Sequence, residues 1–259
     1  MGRAMLEGWH KNHILGQCDI IDPSISAEDL SYIDHDFTFH QSPASLSNKI
    51  EVLVFAVKPQ ILRDILPDYQ HRILPQTVVV SIVAGVNLST YESAFSQKTP
   101  ILRCMPNTPV SAGQGVTGIY ANQAISTENK DTIEALMSAL GTVLWLEKED
   151  QMHALTAISG SGPAYIFYMI EVLKEIALDF GFTDKDADIL ARNTVLGSAV
   201  LAQHNGDIGA AILRKNVTSP GGTTEAGLKA LMDSDSGLYQ LMLKTIQNAH
   251  NRSIELSQD

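Results

Sequence analysis

The sequence predicts two architectures in tandem: an α/β half in which short buried strands alternate with helices, then a half built from helices alone. Three observations carry this. Residues 52–57 (V-L-V-F-A-V), 78–83 (V-V-V-S-I-V) and 101–105 (I-L-R-C-M) are short, nearly continuous apolar runs separated by helical patterns, as parallel strands covered on both faces require. After about Leu146 the period turns helical and no further strand pattern follows, which puts the domain boundary at 147/148: residues 1–147, then 148–259. With 44% apolar and 18% charged residues, the chain can bury a core in each half.

The chain opens on a helical pattern, with Met5, Leu6 and Trp9 on one face. A dinucleotide-binding unit starts with a strand, then a glycine-rich turn, then a helix whose N-terminus meets the pyrophosphate. Gly2 reads as the last glycine of such a fingerprint; the first strand and the two earlier glycines are not in the sequence. The expected reason is a start codon assigned too late, ahead of a fragment or a protein that has lost part of its cofactor grip. The α/β half is therefore read as a Rossmann-like dinucleotide-binding domain, N-terminally incomplete. The strand at 18–21 ends in Asp22, about twenty residues after Gly2, where an acidic side chain binds the adenosine ribose hydroxyls and disfavours a 2′-phosphate. The plainer reading is that Asp22 starts a turn before Pro23.

Ligands of such sheets sit at the carboxyl ends of the strands. Ala56, Val57, Lys58 and Pro59 end the 52–57 strand and are placed to line a cofactor groove, with Lys58 a phosphate or ribose contact or a solvated strand-end lysine. Ala84 and Gly85 follow the next strand and allow close backbone approach beside a nicotinamide. Residues 106–109 (P-N-T-P) form a rigid turn that forbids a helix, and Asn107 is a binding or turn-fixing residue there. Strands at 116–120 and 141–146 flank a helix at 127–140 and complete the sheet.

In the second half, 159–163 (S-G-S-G-P) is a small-residue turn into a helix at 164–180, stopped by Gly181, and a second helix covers 184–204. Both are too apolar to be covered by a domain of their own size, so a partner subunit is expected. At 216–228 (N-V-T-S-P-G-G-T-T-E-A-G-L), a proline, two glycines and four hydroxyls stand at a helix entrance. Unpaired first-turn amides and the helix dipole favour a carboxylate or phosphate there; an ordinary capped loop is the bland alternative.

This stretch resembles the signature of the pyrroline-5-carboxylate reductases. Residues 56–59 (A-V-K-P), 81–86 (S-I-V-A-G-V), 103–109 (R-C-M-P-N-T-P) and 158–165 (I-S-G-S-G-P-A-Y) resemble that family in the same order and at similar spacing, over nearly the whole chain. The resemblance implies hydride transfer from reduced NADP or NAD to a cyclic imine bearing a carboxylate, in proline biosynthesis. It implies helical domains that interlock into homodimers or larger homo-oligomers, with each active site near a subunit junction. It places Glu149 near the bound amino acid and Asn216 against both ligands. The amides around Ser219, Gly221, Gly222 and Thr223 would hold the carboxylate, and the Thr224 hydroxyl would bond the ring nitrogen. Many members carry a hydroxyl residue where Asp22 stands, which suits NADPH; Ser24 and Ser42 are also within reach of a phosphate.

Other chemistry is less well supported. His10 and His13 lack a carboxylate in register, and no H-E-x-x-H or C-x-x-C occurs, so a metal is not expected. Ser159 and Ser161 lack the elbow of a serine nucleophile. Another two-domain reductase of keto or hydroxy acids would use Lys174 as its acid, and a non-catalytic dimeric relative would lack cofactor affinity. The charge of −11 argues against nucleic acid and anionic membranes. Two cysteines read as reduced thiols, with a cytoplasmic location expected.

Overall fold

The computed structural model describes residues 1–26, 28–34, 37–46 and 50–257. They form two compact units, Met1–Gly160 with Ala249–Asp259, and Ser161–Asn248.

The first unit is built on parallel strands. β1 (Cys18–Ile21) pairs with β2 (Phe37–His40), Cys18 opposite Phe37. A second sheet has the order β3 (Val52–Phe55), β4 (Val78–Ser81), β5 (Ile101–Pro106), β6 (Gly115–Ala121) and β7 (Gly141–Trp145). β3, β4 and β5 are parallel, with Val52 opposite Val78 and Val79 opposite Ile101. β6 runs antiparallel to β5, a departure from the all-parallel sheet that the alternating pattern predicts, and β7 runs parallel to β6. β2 is also unforeseen: F-T-F-H is four residues long and only partly buried, so it carries no continuous apolar run.

Alternation along β4 divides the core. Val78 and Val80 face one side with Met5 and Trp9 of α1 (Gly2–Lys11) and Ile133 and Met137 of α4 (Thr127–Ser138). Val79 faces the other with Leu62 and Leu66 of α2 (Pro59–Tyr69) and Leu88 and Tyr91 of α3 (Leu88–Ala94). Period two in the strand thus covers the sheet on both faces. Burying Met5 and Trp9 contributes about 2 kcal/mol each, and the Trp9 Nε1–H donates to the Leu136 carbonyl at 2.7 Å, which fixes α1 on α4.

The unit closes through α5 (Gln151–Leu155), a π-helical turn at Thr156–Gly160, and the end of α10 (Leu238–Leu256), which supplies residues to both units. His153 Nδ1 lies 2.9 Å from Ser253 Oγ, and its ring meets that of His250 edge-on at 6.2 Å.

The second unit consists of α6 (Gly162–Asp179), α7 (Asp184–His204), α8 (Ala210–Asn216), α9 (Thr223–Leu231) and the start of α10. Pro163 stands in the first turn of α6, and the Thr183 hydroxyl caps α7 by accepting from Asp186 N–H at 3.2 Å. No side chain of α6 is buried; Phe167 is 63% exposed, Leu196 on α7 59% and Tyr239 on α10 72%. Apolar faces this open mark an interaction surface. Among the described residues, no helix is long and apolar enough to cross a membrane, and no cluster of three His, Cys, Asp or Glu side chains is placed to hold a metal ion.

Burial, then the Arg103 and His250 charges, hold His153 below the ordinary 6.5, against the opposing pull of Asp150 and Glu149. A depressed histidine stabilises the fold above its unfolded value, and that contribution disappears as pH falls through the folded value. Urea denaturation is therefore expected to show less stability at about pH 5.5 than at about pH 7.5, and His153→Gln to flatten part of that slope; an unaltered slope in the variant would remove His153 from the account.

Candidate functional site

In the first unit the carboxyl ends of β3, β4 and β5 gather the residues that the sequence singled out. β3 runs into Ala56, Val57 and Lys58, and Pro59 opens α2. The Lys58 side chain is exposed. α1 begins at Gly2, and a Cβ on Gly2 would lie 3.1 Å from that of Ala56, so the helix N-terminus is laid closely against the end of β3. Its N-cap is Met1, with no side-chain cap and no acidic residue in the first turn. Those amides and the dipole are open to an anion. A close glycine contact, an uncapped helix and parallel strand ends fit the pyrophosphate of a dinucleotide.

Asp22 follows β1. Its Oδ1 accepts from Ser24 N–H at 2.8 Å and from the Ser24 hydroxyl at 2.6 Å, so the turn reading of the sequence holds. One carboxylate oxygen is committed to the turn, and Ser24, offered as a phosphate ligand, is engaged with it.

At the end of β4 the Ser81 hydroxyl meets Tyr91 Oη and accepts from Val83 N–H at 3.1 Å. Burial pushes the Tyr91 phenol up to about 12, so it stays protonated. Ala84, exposed, and Gly85 then make a turn. Gly85 has φ +76°, and a Cβ there would stand 3.1 Å from the Leu256 carbonyl.

Asn107, after β5, is 8% exposed; its Nδ2 donates to the Ser159 carbonyl and hydroxyl, both at 3.1 Å, and its Oδ1 accepts from Val116 N–H at 2.9 Å. Its polar atoms are turned to the protein, which supports the turn-fixing alternative. Glu149, expected beside the substrate, accepts through Oε1 from Arg103 at 2.5 Å and from Leu88 N–H, the first amide of α3, at 2.7 Å. Arg103, 5% exposed, also donates to Asn87 Oδ1 at 3.0 Å. The sequence reading missed Arg103, although a cation inside an apolar strand is the signal of a buried, paired charge.

In the second unit α8 ends at Asn216, whose side chain is exposed. Gly221 adopts φ +70°, which lets its N–H reach Glu225 Oε2 at 2.8 Å. The Gly222 N–H closes onto the Ser219 carbonyl at 3.0 Å, and a Cβ on Gly222 would lie 2.5 Å from Ser219 Oγ. These two amides, expected to hold an anion, are thus spent within the loop; the glycines shape it instead. The donors left at the α9 N-terminus are its first-turn amides, those of Thr223 and Thr224 among them, because the N-cap is Gly222, with no side chain. Both threonines are exposed. Beside the loop, a groove of about 650 Å³ between α8 and α9 is lined by Ile212, Leu228 and Met232 with Arg214, Lys215 and Lys229. Lys174, the alternative acid, is paired with Asp184 at 2.7 Å.

The described geometry agrees with known proteins. Residues 149–256 match the family described as pyrroline-5-carboxylate reductase dimerisation. The pyrroline-5-carboxylate reductase of Pseudomonas aeruginosa is 36% identical over 218 residues, 84% of this chain and 79% of that protein. The structure of a pyrroline-5-carboxylate reductase from Coxiella burnetii superposes with a TM-score of 0.90 at 33% identity, covering 99% of this chain and 94% of that one. The Plasmodium falciparum pyrroline carboxylate reductase, crystallised with NADP bound, gives 0.83 at 25% identity, covering 99% and 94%.

Gly221→Ala, which forces a Cβ into the left-handed region, is expected to cost about 1 kcal/mol in urea denaturation; a variant as stable as the parent would mean that the loop does not need the φ it adopts.

Proposed function

The chain belongs to the pyrroline-5-carboxylate reductase family, and from that premise we propose that it reduces 1-pyrroline-5-carboxylate to proline with NADPH or NADH. The observation that carries this reading is the α9 entrance, where two first-turn amides and the exposed hydroxyls of Thr223 and Thr224 face outward from a loop with no side-chain cap. A helix N-terminus of this kind favours a carboxylate.

The cofactor's nicotinamide supplies a hydride when bound. Gly2 and the first turn of α1 would take its pyrophosphate, Asp22 would face the adenosine ribose, and Ala56, Val57, Lys58 and Pro59 would line the groove, with Ala84 beside the nicotinamide ring. Asn107 supports that groove through the turn it fixes. On the substrate side, Thr223 and Thr224 amides hold the carboxylate, and Ser219, Gly221 and Gly222 give the loop its shape. Asn216, exposed at the end of α8, would meet the substrate.

Hydride addition to the carbon of the iminium sends the C=N electron pair onto nitrogen as the lone pair of the neutral amine, which then takes a proton from water to give the protonated amine of proline. The Thr224 hydroxyl bonds that nitrogen and orients the carbon for attack. No strong protein acid is needed, because the iminium is already electrophilic; orientation supplies most of the rate. The open apolar faces of α6, α7 and α10 are covered by a second copy, which makes the working enzyme a homodimer or larger homo-oligomer in the cytoplasm.

The test is loss of reduced-nicotinamide absorbance in the presence of 1-pyrroline-5-carboxylate. Thr224→Ala is expected to lower kcat/KM at least about tenfold through the loss of one orienting hydrogen bond, and Thr224→Ser to retain most of it. Unchanged kinetics in Thr224→Ala would remove the hydroxyl from the mechanism.

A further inference from the structure

We propose that Arg103 and Glu149 form a positioning pair that sets the turn of residues 82–87 at the carboxyl end of β4, and through it the seat of the nicotinamide; this rests on the function proposed above. The turn cannot hold itself in place. Its sequence, I-V-A-G-V-N, offers Asn87 as its one polar side chain. Asn87 stands at the N-cap of α3 but makes no side-chain cap, because its Oδ1 accepts from Arg103 at 3.0 Å. The first amide of α3, Leu88 N–H, would then be an orphan donor.

Glu149 supplies the missing acceptor from 61 residues away, at 2.7 Å. The same oxygen accepts from Arg103 at 2.5 Å. Each charge answers a cost of the other. The Arg103 side chain, 6% exposed, needs a counter-ion. The carboxylate in turn lies at the positive end of α3, where the dipole favours it. Three hydrogen bonds therefore join β5, the turn, the start of α3 and the segment ahead of α5. The start of the turn is tied by Ile82 N–H to the Phe55 carbonyl at 3.0 Å and by Val83 N–H to Ser81 Oγ at 3.1 Å, and a Cβ on Gly85 would stand 3.1 Å from the Leu256 carbonyl.

A side chain at this place that served stability alone could be lost without altering what the turn presents. One that positions the turn must change the cofactor's affinity, because reaching the productive geometry then has to be achieved on binding. The pair touches neither substrate nor cofactor in this account, so its effect falls on cofactor binding ahead of the chemical step.

The experiment measures, in the full-length protein, the Kd of NADPH and NADH by quenching of intrinsic fluorescence, the KM values for cofactor and for 1-pyrroline-5-carboxylate, kcat, and the urea midpoint. Glu149→Ala is expected to raise cofactor Kd and KM about tenfold or more, a change of roughly 1.4 kcal/mol, while the KM for the imine stays within about twofold. Glu149→Gln, which keeps an oxygen for both donors, is expected to recover most of that loss. Asn87→Ala leaves the ion pair intact and is expected to fall between parent and Glu149→Ala, so the comparison stands even if Glu149→Ala fails to fold. Cofactor Kd within about twofold of the parent in Asn87→Ala and in Glu149→Ala or Glu149→Gln, or equal rises in both KM values, would overturn the pairing role. A parent protein that binds neither cofactor would instead overturn the proposed function.

Discussion

Burying the Arg103 guanidinium obliges the chain to bring a carboxylate and a second acceptor to one point inside the first unit, and much of the site follows from how it does so. The acceptors come from Glu149 and Asn87, which lie in different segments. Meeting the charge therefore draws the start of α3 and the segment ahead of α5 onto β5. An uncompensated ion in that position would cost several kcal/mol, more than the few hydrogen bonds of a surface turn contribute. The carboxyl edge of the sheet is consequently a fixed rim, held by side chains that face inward, with small residues such as Ala84 left to face outward.

The same economy recurs at the helix entrances. α1, α2 and α9 all begin without a side-chain cap, at Met1, Lys58 and Gly222. α4 and α7, by contrast, are capped: Ser126 accepts from Asn129 N–H, and Thr183 from Asp186 N–H. Uncapped amides next to glycines offer donors to a ligand, and the chemistry proposed here depends on backbone groups and two hydroxyls more than on titrating side chains. Glu225 reaching back to the Gly221 amide belongs to this arrangement, because it satisfies the donor next to the entrance and leaves those of Thr223 and Thr224 outward.

The sequence made the parallel strands legible because β4 and β5 are almost wholly buried and so read as nearly continuous apolar runs. α7 was legible from its period and its apolar composition, and the 219–224 loop from its proline and glycines. β2 was not, because a four-residue, half-exposed strand at a sheet edge carries too little pattern. The partners of Asn107 and Glu149 were not legible for a different reason. Both are polar residues beside a motif, and a sequence does not reveal whether such a side chain turns toward a ligand or toward a buried partner from a distant segment. Ser159 lies 52 residues from Asn107, and Leu88 lies 61 from Glu149. The same limit applied to the loop: its glycines announced free amides, but the acceptors that consume them, Ser219 O and Glu225 Oε2, depend on the turn's closed geometry.

The most direct test of the account is transfer of deuterium from reduced cofactor labelled at the nicotinamide C4 to product, read by mass spectrometry of the proline formed from 1-pyrroline-5-carboxylate. The account predicts proline carrying one deuterium at the former imine carbon, with label arriving from one face of the nicotinamide only. Proline without label, or cofactor oxidation with no proline formed, would contradict it.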